Sequence, residues 1–168
     1  MLIELTVSMV ILTIALLAVM ASYDTAFVSL HRAGSQAVAT KLANQQLELY
    51  AALPFSQIGL DSTTTTNVGT TGNGAYDALY ATNALLGGAG TTSEVLIAGC
   101  GASASCLPIQ TVTGSDHHRY RIETFVVDRA NSTGISWTER DVTVVVRDAQ
   151  RSGLPELVRL STAYDRGP

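Results

Sequence analysis

Nineteen consecutive residues, 5–23, carry no charge, no proline and no glycine. A run of that length meets the roughly 20 residues that an α-helix needs to cross a hydrocarbon core of about 30 Å. Hydroxyls within it, among them Thr6, Ser8 and Thr13, can bond back to the preceding turn and so do not spoil the span. A cleaved secretory signal would open with a basic segment and close at a small-residue cleavage site. Here the basic segment is missing, and a single acid, Glu4, stands before the apolar run.

The helical pattern does not end where a simple anchor would end. No glycine occurs before Gly34 and no proline before Pro54. Beyond the apolar run, Phe27, Leu30, Ala33, Val38, Leu42, Leu49 and Leu53 recur mostly at steps of three, four or seven, the spacing of one helical face. Between them lie His31, Arg32, Gln36, Lys41, Gln45, Gln46 and Glu48, a wet face. The spacing predicts one helix from residue 1 to about residue 53, roughly 80 Å long at 1.5 Å per residue. Such a helix needs two environments. Residues 1–24 require a fully apolar one, such as a membrane. Residues 25–53 are amphipathic and would lie along a globular head formed by residues 25–168.

The chain of 168 residues is long enough for one domain with a real core. It is 46% hydrophobic and only 14% charged, with a net charge of −4. Nearly all the charges fall after Asp24, and the basic residues alternate with acids. That balance speaks against binding a nucleic-acid backbone and reads as a solvated surface of mixed sign. The only two cysteines, Cys100 and Cys106, are separated by five small residues. That spacing lets a loop close into a disulfide, whereas a metal would need four ligands and no second cysteine pair exists. A disulfide implies an oxidising compartment and, for so short a loop, adds about 2 kcal/mol.

After Pro54 the texture changes. Residues 61–92 are rich in Thr, Gly, Asn and Ala, with Thr63, Thr64, Thr65 and Thr66 in a row. We expect residues 54–118 to be mostly loop, with one short helix near residues 76–86. The threonine run is a candidate for O-glycosylation and Asn131, in Asn131-Ser132-Thr133, for N-glycosylation, against a default of plain solvated loop. Three runs then read as strands: 120–127, 139–147 and 157–163. The second alternates cleanly around Val142, Val144 and Val146, and turn residues separate all three. Short connections favour an antiparallel meander over residues 119–168. The expected class is α+β, a long N-terminal helix whose amphipathic half packs on a sheet of three or four strands.

Catalytic chemistry is hard to find. His117 and His118 are adjacent, so in an extended chain they point to opposite faces and suit one metal poorly. His31 has no second histidine four residues on. There is no glycine-rich phosphate loop after a strand and no nucleophile elbow. The reading is therefore a non-enzymatic chain with no cofactor and no metal. Glu4 is the group that asks for an explanation, because a carboxylate inside an apolar helix is expensive unless a cation meets it. The first basic side chain is Arg32, out of helical reach. The nearest cation is an α-amine, that of Met1 in the same chain or that of an adjacent copy; solvation by lipid headgroups is the plainer alternative.

The stretch Leu2-Ile3-Glu4-Leu5, continued by a long apolar helix, resembles the N-terminus of mature type IV pilins and pseudopilins. In that family a leader is removed by a prepilin peptidase and the new N-terminus is methylated. The family's glutamate is the fifth residue of the mature chain and here it is the fourth. The expectation is one further N-terminal residue, usually Phe, or a start set at an internal Met. The resemblance implies a structural subunit held in the cytoplasmic membrane of a prokaryote and then polymerised by the pilus assembly machinery. The product would be a helical homo-oligomeric filament on the cell surface, with Glu4 pairing the N-terminal amine of a neighbour. A minor pilin or a type II secretion pseudopilin shares the same features. A signal-anchored extracytoplasmic binding protein is the alternative from another class, and it has no use for an acid at position 4.

Overall fold

In the computed structural model, residues 2–86, 94–98, 106–130 and 137–166 are described. The architecture is α+β, a long N-terminal helix followed by a four-stranded antiparallel sheet. Helix α1 runs unbroken over Leu2–Ala51. It stops because Pro54 disfavours the α conformation at Leu53 and supplies no backbone donor of its own. Pro54 itself is extended (φ −63°, ψ 147°) and opens a single 3-10 turn over Phe55–Gln57. The chain divides into two compact units, Met1–Ala37 and Val38–Pro168.

In the second unit the strands are β1 (Leu60–Asp61), β2 (Leu96–Ile97), β3 (Ile109–Thr113), β4 (Arg119–Ala130), β5 (Trp137–Asp148) and β6 (Glu156–Asp165). The last four form the sheet in the order β3-β4-β5-β6, each antiparallel to its neighbour. Strands β1 and β2 make a small parallel pair. The segment that includes β2 also joins β4: the Val95 N–H donates to the Val126 carbonyl (2.8 Å), while the Val95 carbonyl accepts from Leu60 (2.9 Å).

Alternation along the strands gives the sheet two distinct faces. Tyr120, Ile122 and Val126 of β4 and Val142, Val144 and Val146 of β5 point to one face. There they pack with Ala39, Ala43 and Tyr50 of α1, and with Ile58 and Leu60 just beyond it. The small Ala39 and Ala43 let the helix approach closely. The Tyr164 hydroxyl of β6 donates to the Leu47 carbonyl of the helix at 2.9 Å. On the opposite face Phe125 and Val145 pack with Val68 and Tyr80, and the Tyr80 and Phe125 rings stack at 4.7 Å.

Val68 and Tyr80 come from helices α2 (Ser62–Gly69) and α3 (Ala78–Ala81). Helix α2 corrects the expectation of loop through the threonine run. Threonine is a mediocre helix former. Here Asp61 caps the first turn, accepting from the Thr64 N–H (2.8 Å) and its hydroxyl (2.7 Å), and burial of Val68 against Phe125 and Tyr80 adds to it. The short helix expected near residues 76–86 is found as α3 with a 3-10 turn at Ala84–Leu86. Strand β3 lies where loop was expected. A second correction concerns α1: Phe27 and Leu30 are 67% and 69% exposed, so the helical face covered by the head begins at Val38.

Candidate functional site

The first unit is a helix whose surface is largely apolar as far as Tyr23. Every large apolar side chain from Leu2 to Leu30 is at least half exposed, from 52% at Val19 to 84% at Leu2. Several of its hydroxyls bond back to the helix. Thr6 bonds the Ile3 carbonyl (2.9 Å), Thr13 the Met9 carbonyl (2.7 Å), Ser22 the Ala18 carbonyl (2.9 Å) and Thr25 the Ala21 carbonyl (3.1 Å). Each bond satisfies a polar group on the helix itself, which lowers the cost of placing it in an apolar setting. By length and composition this helix can cross a membrane.

Glu4 sits in the first turn of α1, where the helix dipole favours a negative charge. It is exposed on the helix surface. Met1, the other residue of the expected assembly pair, lies outside the described residues. The next charges along the helix are Asp24 and Arg32, both exposed.

In the head, Cys106 is buried and disulfide-bonded, and Cys100 lies outside the described residues. Of the four threonines, Thr63 and Thr66 are exposed on α2, Thr64 is engaged with Asp61, and Thr65 is buried. Asn131 falls outside the described residues. His117 adopts a left-handed backbone (φ 62°) at the tip of the β3–β4 hairpin and is exposed, while His118 is half-buried. Among the described residues, no group of three or more His, Cys, Asp or Glu could hold a metal ion.

What sequence reasoning missed is inside the head. The alternating charges of β4 and β5 are not a solvated surface. Glu123 is completely buried, and its two oxygens accept from Arg121 Nε (2.8 Å) and Arg147 Nε (2.9 Å). Arg121 also donates to Asp77 (2.6 Å), the cap of α3, holding the Asp77 carboxyl below the usual carboxylate range. The guanidinium of Arg147 approaches Glu156, which in turn pairs with Arg159. The signal was present in the sequence: Arg121, Glu123 and Phe125 share one strand parity, so a covered Phe125 puts the charges under the same cover.

A second buried polar cluster lies beside β4. The Tyr80 hydroxyl donates to the Glu94 carboxylate and also approaches the Thr124 carbonyl (3.2 Å). Burial pushes the Glu94 carboxyl up to about 7, against a smaller opposing pull from the Tyr80 bond. The buried Tyr50 hydroxyl nearby has no hydrogen-bond partner among the described residues. Finally, Arg140 ties the turn after α1 to the sheet. Its Nη1 donates to the Phe55 and Ile58 carbonyls (2.7 Å each), its Nε bonds Asp128 (2.9 Å), and its guanidinium lies 4.5 Å from the Phe55 ring centre.

Among the described residues, these clusters are ion-paired and packed. The apolar helix is the large exposed apolar surface among the described residues. Compared with known proteins, the chain matches no family model, no curated protein and no solved structure.

Proposed function

We propose that this chain is the structural subunit of a type IV pilus-like extracellular filament. It polymerises through the first half of α1, with Glu4 pairing the N-terminal amine of a neighbouring copy. The observation that carries the reading is the all-round exposure of apolar side chains over residues 2–30, with one acid near its start. Water is the wrong solvent for that surface. At about 25 cal/mol per Å² of apolar area, leaving it wet costs tens of kcal/mol, so a membrane or other copies must cover it.

The sequence Leu2-Ile3-Glu4-Leu5 supports the same reading. So does the division of labour along the helix, in which the residues from Val38 onward belong to the head and the preceding ones do not. The cytoplasmic membrane holds the subunit before assembly. A prepilin peptidase and the assembly machinery are its partners.

The test is Glu4→Ala in the full chain, with fractionation of the producing cells and microscopy of shed filaments. The variant stays in the membrane fraction and sheds no filaments. Filaments at wild-type yield from this variant would overturn the reading.

A further inference from the structure

Between the apolar run and the head, α1 carries two charges that find no partner among the described residues. Asp24 and Arg32 are exposed, and neither makes an ion pair there. They are not independent in position. Asp24, Val28 and Arg32 follow one another at steps of four, so they form a single ridge on the helix, and all three line one shallow groove along it. Val28, at the middle of the ridge, is 53% exposed. The ridge therefore reads acid, apolar, base from its N-terminal to its C-terminal end.

Such a ridge is complementary to itself. A parallel copy displaced by eight residues, about 12 Å along the axis, sets its Asp24 beside the Arg32 of the first. The apolar side chains near both ridges close against each other and exclude water around the pair. An anionic membrane surface would satisfy Arg32 and repel Asp24, and a basic surface would do the reverse. A second copy satisfies both. An antiparallel copy could also match the charges, but it would lay its exposed apolar segment away from that of the first. The parallel arrangement keeps both apolar segments in one environment.

We propose that Asp24 of one subunit pairs with Arg32 of the next, a register lock that sets the axial displacement between neighbouring copies of α1. The inference rests on the filament reading and deepens it by naming the contact outside the apolar run. A displaced head-to-tail contact of this kind is heterologous: each copy offers its acid to one neighbour and its base to the other, so it propagates rather than closing a pair. Charges of this type select register and partner more than they add raw affinity.

The experiment uses the full chain in producing cells, with the yield of shed filaments as the readout. Asp24→Arg sets two guanidinium groups against each other at every contact, and Arg32→Asp sets two carboxylates against each other. Each single variant should lose about ten-fold or more of the yield, since like charges at a contact cost at least one decade in its equilibrium constant. The double variant Asp24→Arg/Arg32→Asp restores opposite charges and recovers filaments. Co-expression of the two single variants also recovers them, because a contact between one of each can pair unlike charges. A defect in folding or insertion would not be rescued in trans. Single variants that assemble at wild-type yield overturn the lock while leaving the filament reading intact. So do single variants that neither the double variant nor co-expression restores. A wild-type chain that forms no filaments overturns both.

Discussion

Arg121 on β4 and Arg147 on β5 stand opposite each other on the same side of the sheet, and each Nε donates to a different oxygen of the buried Glu123 carboxylate. Two like charges are thus held at adjacent strand positions by one anion between them. Their side chains are only 11% and 10% exposed. Removing the anion would leave both guanidinium groups buried with part of their hydrogen bonding unmet. Breaking a buried pair from one side costs about 3–5 kcal/mol. Glu123→Gln should therefore lower the unfolding free energy of the head by that amount, measured by denaturant titration of the full chain in detergent. A loss below about 1 kcal/mol would show that water reaches the arginines.

The Glu94 carboxyl gives the head a pH dependence of unusual sign. Its folded value, about 7, lies above the ordinary 4.5, so between those two values the folded head binds more protons than the unfolded chain. Stability is greatest below about 4.5 as far as this group is concerned, falls as pH rises, and levels off above about 7. The full effect is on the order of 3 kcal/mol. Asp77 pulls the other way, but only at lower pH, since its folded value is depressed. Melting temperature followed from about pH 5 to 8 should fall in the wild type and stay flat in Glu94→Gln.

Arg140 joins the turn after α1 to the sheet by two hydrogen bonds and a contact over the Phe55 ring, and bonds Asp128 on the neighbouring strand. A lysine has one ammonium and no planar fork, so it cannot serve two carbonyls, a carboxylate and a ring together. Arg140→Lys should cost about 1–3 kcal/mol, and Asp128→Asn less, by the same unfolding measurement.

Gly114 opens the β3–β4 turn where the hairpin meets the head's own stretch of α1. A Cβ there would stand 2.6 Å from Tyr120 Cε2 and 2.8 Å from Val38 Cγ1. Both neighbours are anchored, Tyr120 in the core and by its bond to Asp116, and Val38 by packing against that core. Gly114→Ala should therefore destabilise by about 1–3 kcal/mol through overpacking. A neutral result would mean that the turn yields.

Much of this fold is legible in the residues alone. Helix α1 announces itself by the absence of breakers up to Pro54, and β5 by Val142, Val144 and Val146 at every second position. The elements that sequence reasoning missed depend on partners remote in the chain. Helix α2 exists because Asp61 caps it and Val68 finds Phe125, and no local preference of a threonine run says so. The two-residue strands β1 and β2 exist only as a pair, brought together by Val95. The burial of Glu123 follows from what covers the second face of the sheet, which strand alternation alone does not reveal. For the candidate site the balance is reversed. Glu4 and the apolar helix are plain in the sequence. The ridge of Asp24, Val28 and Arg32 is not, because its meaning depends on that stretch of helix being left uncovered.

The unbroken helix also has a mechanical consequence. Neither proline nor glycine interrupts α1 before Gly34, and hydroxyls such as those of Thr13 and Ser22 add second bonds to its carbonyls. A fibre whose subunits contain a ready-melted stretch can lengthen under load by drawing that stretch out. If the chain polymerises as proposed with α1 intact, its fibre has none to draw on. Its backbone ladder must rupture turn by turn before the rod can grow longer, so it should behave as a stiff tether rather than a spring, with a steep rise in force from the start of a pull.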